Sequence, residues 1–523
     1  MYYCYFCIIK LSDLFNIAKM AQYKQSEITN IFWASNDDFK GGRDPLGIQN
    51  SSIATYSKLL PGLTNLTRHI RYYSLYCWLL SEYDKFEIDG KTSLHQYNFI
   101  RRAELAMALI MKEQNVGSVV GALFVSQGRY KQIEDGIYDI ADGADYESKV
   151  KYWKFKSGAF GQYYLGSLIY YELVKIEEGR FYLRNKGKEL ADAVRNSVDE
   201  NPRNLFLGCI LDGNLEEDAI GDLQPLAIHR INIGSEEWLF LNNLLTKSDE
   251  DSSLRRETIF LLLNDISNGV AIEEFVKNRF LYVSKGRNLH AALGWYFYYL
   301  CEGLHYCIDL FFCLILYKIH ELHNPPIALL FQDIKQSLLS IIEKEMNYNS
   351  LDEWRKNVSD NINIIYDELR NYVSKQDYIS AAVHAIRLML RLYTEFENNT
   401  KNIEEFEGEN DLKRQRGILS EGLKSYVERY LSFSISSFIE TLIAQIMQEH
   451  TMVAIAKMGK NNLDLRKFIL EDGRAVLVEQ RYPVETSPRI NSLINFLQDM
   501  GYLDKDNTLT EIAEQFIENY GKE

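Results

Sequence analysis

The hydrophobic positions of this chain recur mostly every three or four residues, which is the spacing of amphipathic helices. The clearest stripe lies after a Pro-Gly turn and consists of Leu66, Ile70, Tyr73, Cys77 and Leu80. A helix is therefore predicted from about residue 66, and comparable stripes elsewhere predict a mainly α-helical protein.

Residues 289–345 are apolar on nearly every side of a predicted helix. A helix that is hydrophobic all round is buried in a protein core or in a membrane. Glu302, His305 and Asp309 interrupt this one, so we expect the central helix of a bundle and no membrane span.

Alternation every second residue predicts strands in two places. The runs 174–176 and 180–183 flank Glu178-Gly179, which is a hairpin signal, and a helix follows from Asn185. A similar order recurs over 464–520. Helix, hairpin and helix resemble a winged helix, although Asn185 stands where that pattern usually has Thr. The predicted fold class is mainly α: a multi-domain helical bundle with two small winged-helix-like α+β modules.

Composition shifts predict the domain boundaries. Residues 401–415 are charged with few apolar positions, which predicts a linker. The predicted segments are 1–19 (a leader that need not belong to the fold), 20–148 (N-terminal helical domain), 149–200 (winged-helix-like module), 201–400 (central helical bundle), 401–418 (linker) and 419–523 (C-terminal helical and winged-helix-like module).

The charge is unevenly distributed. The 523 residues carry a net charge of −15, yet residues 1–200 hold 25 Lys/Arg against 24 Asp/Glu, so the acidic excess lies after position 200. An acidic body repels a phosphate backbone, which excludes broad nonspecific binding of nucleic acid. The seven cysteines are scattered, and the Cys4–Cys7 pair has no second pair for zinc. We expect a reduced, cytoplasmic protein.

Residues 149–188 form a basic patch with nine Lys/Arg against three Glu. Aromatic residues interleave with its lysines, as in surfaces that bind nucleic acid. The alternative is a solvated helix face with aromatic rings packed inward. The predicted nucleic-acid-binding residues are Lys151, Lys154, Lys156, Arg180, Arg184, Lys186 and Lys188.

A second candidate site lies at the start of the helix predicted near residue 66. Asn65, Arg68 and Arg71 are candidates for contact with an anion or a partner carboxylate there. The alternative is that these arginines cap loops inside the fold. Over residues 44–83 the chain, including LLPGLTNLTRHIRYYSLYCWLL, resembles a set of uncharacterised bacterial proteins associated with phage-defence and mobile-element neighbourhoods. That resemblance implies a setting and carries no catalytic motif.

Catalytic patterns are weak. Glu302 and His305 have the spacing of a di-iron ligand pair, but the sequence offers no second pair, and a buried His–Glu contact is the favoured interpretation. Asp472 and Glu479 have roughly the layout of a paired-carboxylate nuclease, with Arg481 where a Lys is needed. No catalytic residue, metal or cofactor is therefore predicted.

The leading hypothesis is a non-enzymatic recognition or scaffold subunit of a bacterial anti-phage defence or DNA-processing complex. It would bind nucleic acid, companion protein subunits or both, with its acidic C-terminal module docking a companion. The alternatives are a metal-dependent nuclease or toxin effector using Asp472 and Glu479, and a self-assembling structural protein.

Overall fold

The computed structural model of the protein describes residues 44–86, 92–112, 119–126, 136–247, 252–283, 290–345, 348–410, 412, 418–461 and 465–522. The predicted leader at 1–19, with Cys4 and Cys7, lies outside these residues.

Helices make up most of the described chain, as predicted. In order they are α1 (Gln49–Leu59), α2 (Arg71–Lys85), α3 (Ser93–Lys112), α4 (Ala122–Ser126), α5 (Ile140–Ala144), α6 (Leu165–Tyr170), α7 (Asn185–Ser197), α8 (Glu200–Asp212), α9 (Glu236–Thr246), α10 (Ser253–Ser267), α11 (Phe275–Val283), α12 (His290–Glu321), α13 (Ile327–Glu345), α14 (Leu351–Asn357), α15 (Ile362–Ser374), α16 (Tyr378–Glu409), α17 (Leu419–Tyr426), α18 (Ile435–Asn461), α19 (Ile490–Asp499) and α20 (Glu511–Tyr520). A π-helix, Phe160–Tyr164, leads directly into α6.

Short strands form three two-stranded antiparallel sheets in the described chain. The strands are β1 (Ile137–Asp139), β2 (Val174–Glu177), β3 (Arg180–Leu183), β4 (Asn214–Glu216), β5 (Phe468–Glu471) and β6 (Arg474–Leu477). β1 pairs with β4, β2 with β3, and β5 with β6, and the last two pairs are hairpins.

The chain divides into two compact units. The first contains residues 44–58 and Val276–Thr486, and the second contains Leu59–Phe275 and Ser487–Glu523. This division differs from the predicted boundaries after residues 148, 200 and 400. Residues 149–200 do not stand apart, because α7 packs against α2. The predicted bundle at 201–400 is split between the two units.

In the first unit, α12 is the central helix, as predicted. It contacts α16, α13, α17 and α18. It is the one described helix that is long and apolar enough to cross a membrane, and its apolar window is wholly buried within the protein. Burial on every side by other helices is what makes an all-round apolar helix stable in a globular core.

The predicted linker at 401–418 is wrong in its described part. α16 continues through these residues to Glu409, and Ile403 and Phe406 are buried. The charged residues between them occupy the solvent side of an amphipathic helix. A low apolar content therefore reflects one exposed helix face and not a loop.

In the second unit, the aromatic helix begins at Arg71 and not near residue 66. Residues 61–70 form turns, and Leu66 is 48% exposed, so it does not belong to the buried stripe. Tyr72, Tyr73 and Tyr76 of α2 are fully buried. Their rings pack around Tyr164, with centroid separations of 4.8, 6.1 and 5.3 Å respectively.

The C-terminal module predicted over 464–520 is divided between the units. Its hairpin, β5–β6, belongs to the first unit, whereas α19 and α20 belong to the second. The segment between α19 and α20 forms a single antiparallel β-bridge between Leu503 and Leu509. These residues and the two helices thus make a smaller helix–hairpin–helix. The hairpin at 468–477 is confirmed, whereas its grouping with these two helices is wrong.

Candidate nucleic-acid interface

The basic residues of the second unit lie on a local helix–hairpin–helix built from α6, β2–β3 and α7. The hairpin turn is Glu178-Gly179, with φ values of 50° and 74°, the left-handed pair that a two-residue turn between twisted strands requires. After β3 the backbone amide of Arg184 donates to the carbonyl oxygen of Leu173 at 2.9 Å. This bond holds the start of α7 against the start of the hairpin.

Side chains alternate between the two faces of the hairpin, as the strand geometry requires. Phe181 and Leu183 are buried, while Lys175, Arg180 and Tyr182 point to the other face. Lys175 is the cross-strand partner of Tyr182. The Arg180 guanidinium lies 5.1 Å from the centre of the Tyr182 ring, within the range of a cation–π contact.

An open groove of about 530 Å³ lies between the hairpin and the start of α7. We call it the basic groove, and its lining residues are Glu172, Lys175, Leu183, Arg184, Asn185, Lys186 and Lys188. Four cations thus face a single carboxylate.

The charge of the basic groove stays positive although two of its cations have carboxylate partners. Lys186 donates to Glu172 and so lowers the pKa of that carboxyl, and Lys175 donates to Glu177 at 2.7 Å. The other two cations of the groove, Arg184 and Lys188, are exposed. The N-terminus of α7 adds a partial positive charge, and Arg184 at the N-cap makes no side-chain capping bond. The arrangement can hold an anion that carries several charges.

Two buried charged residues of α3 position the predicted basic segment before the hairpin. Arg101 donates to the carbonyl oxygens of Trp153 and Phe155 at 2.9 and 2.6 Å. Glu104 accepts from the Tyr152 hydroxyl and from two backbone amides that precede α6. Burial raises the pKa of Glu104, and these donors partly offset that effect. The segment is therefore an ordered part of the core.

The structure places the three predicted lysines of this segment differently. Lys151 donates to the carbonyl oxygen of Tyr146 at 2.5 Å and lies 4.2 Å from the centre of its ring, so it is engaged within the fold. Lys154 is exposed. Lys156 is also exposed, and its amine lies 5.8 Å from the centre of the Tyr97 ring.

Tyr97 connects that lysine to the hairpin. Its hydroxyl donates to the carbonyl oxygen of Gly179 at the turn, and its ring lies 5.3 Å from that of Phe181. Sequence reasoning did not select Tyr97 or Tyr182. The alternation of residues 180–183 was enough to place Tyr182 beside Arg180, whereas the 82-residue separation between Tyr97 and Gly179 gave no local signal.

The predicted anion site at Asn65, Arg68 and Arg71 is not formed as expected, because the helix starts only at Arg71. Arg71 is buried and donates to both carboxylate oxygens of Glu237 at 3.0 Å, which makes a bidentate pair within the unit. Asn65 donates to the carbonyl oxygen of Ser487 at 2.9 Å. Arg68 is half-buried. The carboxylate that Arg71 holds is thus the chain's own, and Arg71 is unavailable to a ligand.

In the first unit, the Glu302–His305 pair is a buried contact, as favoured from the sequence. His305 Nδ1 lies 3.1 Å from Glu302 Oε1, and the backbone amide of Thr486 donates to the same oxygen at 2.6 Å. Burial alone would lower the pKa of His305, but the adjacent Glu302 carboxylate outweighs it and the net shift is upward. The pair holds an extended segment against α12 by hydrogen bonds.

The proposed nuclease pair is contradicted by its geometry. Asp472 occupies the first turn position of β5–β6 with φ 49°, and Glu479 is paired with Lys467 beyond the far ends of the strands. Lys467 and Asp472 flank the four residues of β5 and are five positions apart, or about 17 Å at ~3.4 Å per residue. One ion cannot bridge these carboxylates. Arg481 is engaged elsewhere, in a bidentate pair with Asp309.

No group of three or more His, Cys, Asp or Glu side chains converges as metal ligands within the described part of the chain. No protein-family profile, curated protein sequence or solved structure matches this chain. The candidate site therefore rests on its own geometry: a groove in which Lys175, Arg184, Lys186 and Lys188 converge at a helix N-terminus, beside a hairpin that carries Arg180 and Tyr182.

Proposed function

We propose that this protein is a non-enzymatic recognition or scaffold subunit that binds nucleic acid through the basic groove. The single observation that carries the proposal is the convergence of four cations on one open surface of an otherwise acidic chain. In this proposal residues 165–197 act as a winged-helix-like module. The setting is a cytoplasmic bacterial anti-phage defence or DNA-processing complex, which rests on the resemblance of residues 44–83.

The shape and charge of the basic groove favour a phosphate backbone. A polyanion with regularly spaced charges can contact several cations at once and release their counterions. The groove is open rather than enclosed, so it suits an extended chain better than a small metabolite. The net charge of −15 acts against contact elsewhere, which concentrates binding at this groove.

The acidic C-terminal helix–hairpin–helix supports a companion protein subunit as a second ligand. Its exposed acidic residues are Asp504, Asp506, Glu511, Glu514 and Glu518. Asp499, another acid of this segment, is buried and bonded to His69 at 3.1 Å, so it belongs to the core. The exposed residues repel nucleic acid and favour a basic protein surface.

A charge-reversal experiment tests the nucleic-acid part. The variant is Arg184→Glu/Lys188→Glu, and the matched control is Lys375→Glu/Lys505→Glu, which makes the same charge change at exposed positions outside the basic groove. Affinity for fluorescein-labelled DNA and RNA oligonucleotides is measured by fluorescence anisotropy between about 50 and about 200 mM salt, the range over which phosphate contacts are most visible.

Four phosphate contacts predict a slope of log K against log [salt] of about −3.6 for duplex and about −2.8 for a single strand. Over that fourfold range, affinity should fall by about 150-fold or about 50-fold. The groove variant should lose most of the binding and about half of the slope, and the control should keep both. Equal behaviour of the two variants would remove the groove from the proposal. A large homo-oligomer in light scattering without nucleic acid would favour a self-assembling structural protein instead.

A further inference from the structure

The basic groove continues into a line of alternating cations and aromatic rings on the hairpin. We call this line the hairpin track, and its members are Lys156, Tyr97, Arg180, Tyr182 and Lys175. Lys156 lies over Tyr97, Arg180 lies over Tyr182, and Tyr182 pairs across the strands with Lys175. Tyr97 is linked to Arg180 only through the neighbouring Gly179.

The outer part of the track runs from Lys156 to the turn. The Lys156 amine lies over the Tyr97 ring at 5.8 Å, and the Tyr97 hydroxyl donates to Gly179, the residue directly before Arg180. The Tyr97 ring is also held by Phe181 at 5.3 Å. Tyr97 is thus fixed in place at the tip of the hairpin.

The inner part of the track runs from Arg180 to the basic groove. Arg180 lies over the Tyr182 ring at 5.1 Å, and Tyr182 pairs across the strands with Lys175, which lines the groove. Tyr182 is partly exposed on the face that it shares with these two cations. Because Arg180 lies over the ring, the part of Tyr182 that remains exposed is the surface on which a base would stack.

The tip of the hairpin carries the opposite charge. Glu177 and Glu178 are exposed there, and Glu177 accepts a hydrogen bond from Lys175 at 2.7 Å on the face that carries Arg180. A phosphate bound at Lys175 competes with Glu177 for that amine, and a duplex would bring a second phosphate backbone toward the same carboxylates.

We propose that the basic groove and hairpin track together bind a single-stranded nucleic acid, with a base stacked on Tyr182. This inference rests on the proposed function, since it specifies the ligand of the same groove. Rings that stack bases contribute only when the bases are unpaired, whereas the cations of the groove act on any phosphate backbone.

The test compares Tyr182→Ala and Tyr182→Phe by fluorescence anisotropy. Each is measured with three probes of equal length: a mixed-sequence single strand, the corresponding duplex, and a single strand of abasic sites. Tyr482→Ala, which removes a 63% exposed tyrosine of the first unit, is the matched control. Thermal melting of each variant reports whether it is folded.

Wild-type protein should bind the single strand at least about tenfold more tightly than the duplex, because only unpaired bases can stack on the ring. Tyr182→Ala should lower affinity for the base-containing single strand by about 5- to 150-fold, the range for loss of one stacked base. It should leave duplex and abasic affinities and the salt slope unchanged, because no phosphate contact is lost. Tyr182→Phe and Tyr482→Ala should bind like wild type.

The possible failures are distinguishable. Equal or tighter duplex binding, or an equal loss of abasic affinity in Tyr182→Ala, overturns the single-strand inference, and the Arg184→Glu/Lys188→Glu variant then decides whether the groove binds nucleic acid at all. If that charge reversal has no effect on any probe, the proposed function itself fails. If Tyr182→Ala does not fold, the inference is decided by the wild-type protein alone, from its relative affinities for the single strand, the duplex and the abasic strand.

Discussion

Gly187→Ala tests the local geometry of the basic groove. The added methyl group should improve helix propensity but clash with the hairpin, so its net effect shows which of the two dominates. A Cβ built on Gly187 would lie 2.1 Å from the carbonyl oxygen of Leu173 and 3.1 Å from the Leu183 side chain. The same carbonyl oxygen accepts the Arg184 amide at 2.9 Å. Gly187→Ala should therefore disrupt the hydrogen bond that holds the start of α7 to the hairpin.

The magnitude follows from the distances at Gly187. Ordinary contact begins at 3.4 Å, so the Leu173 carbonyl and the new methyl must separate by about 1.3 Å (3.4 − 2.1). Overpacking of this kind costs about 1–3 kcal/mol, and loss of the Arg184 hydrogen bond costs about 1 kcal/mol more. The helix-propensity gain of Gly→Ala returns at most about 1 kcal/mol. The net expectation is destabilisation by about 1–3 kcal/mol.

Gly208 provides the matched control because it lies within α8 and no atom lies within 4 Å of the place that an added methyl group would take. Gly208→Ala should be neutral or stabilise by up to about 1 kcal/mol. Denaturant midpoints give the two shifts, and hydrogen exchange of the Arg184 amide reports the local opening. If both alanines shift stability alike and the Arg184 amide exchanges as in wild type, the close approach at Gly187 is not what organises the groove.

Three further predictions concern buried charges and protons. Burial lowers the pKa of His450, whose ring nitrogens both bond to backbone groups, to about 4, so the unfolded chain protonates first as pH falls from 6.5. The free energy of unfolding should drop by about 3 kcal/mol between about pH 7 and about pH 4 in urea titrations, and His450→Gln should lack this component. Glu237→Gln should cost about 3–5 kcal/mol in denaturant unfolding, because it leaves the buried Arg71 poorly paired. Arg481→Gln should cost a similar amount by leaving the buried Asp309 without its cation, measured by the same unfolding curves.

Each of these three predictions has a result that would contradict it. A wild-type stability that stays flat across the acidic range, or falls equally in His450→Gln, would show that His450 is not the group responsible. For Arg71, the double variant Arg71→Leu/Glu237→Leu is the control, because removing both charges should cost less than removing Glu237 alone. For Arg481, a loss as small as that of the exposed Lys375→Gln would contradict the buried pair.

Local patterns predicted the hairpins and the core helix, because their determinants are adjacent in sequence. Glu178-Gly179 and Asp472-Gly473 both adopt the left-handed turn that their residue types favour. The apolar run at 289–345 became α12 and α13 for the same reason. Length and periodicity were sufficient there, since few competing arrangements bury so continuous an apolar surface.

Long-range pairing could not be predicted from the sequence. The sequence left open whether Arg71 contacts an outside anion or a group inside the fold, because its partner Glu237 is 166 positions away. Asp499 belongs to the acidic C-terminal segment, yet it is paired with His69, which lies 430 positions earlier in the sequence. Tyr97 is tied to the hairpin in the same manner. Spacing along one element reveals which face a residue occupies, and only the tertiary fold decides what covers that face.

The two helix–hairpin–helix segments of the second unit share a backbone feature. The Thr510 amide donates to the carbonyl oxygen of Tyr502 at 3.1 Å, as the Arg184 amide does to Leu173 at 2.9 Å. In each segment this hydrogen bond links the residue before the second helix to the start of the hairpin.

The two segments differ in charge at the positions where their backbones are similar. Lys186 and Lys188 stand in the first turn of α7, whereas Glu511 and Glu514 stand in the first turn of α20. A backbone that holds a helix N-terminus in the same way therefore presents either a cationic or an anionic surface, and side chains alone set the preference. If nucleic acid binds the cationic segment and not the acidic one, the function depends on the side chains of the basic groove, and the role of the fold is to bring those side chains together.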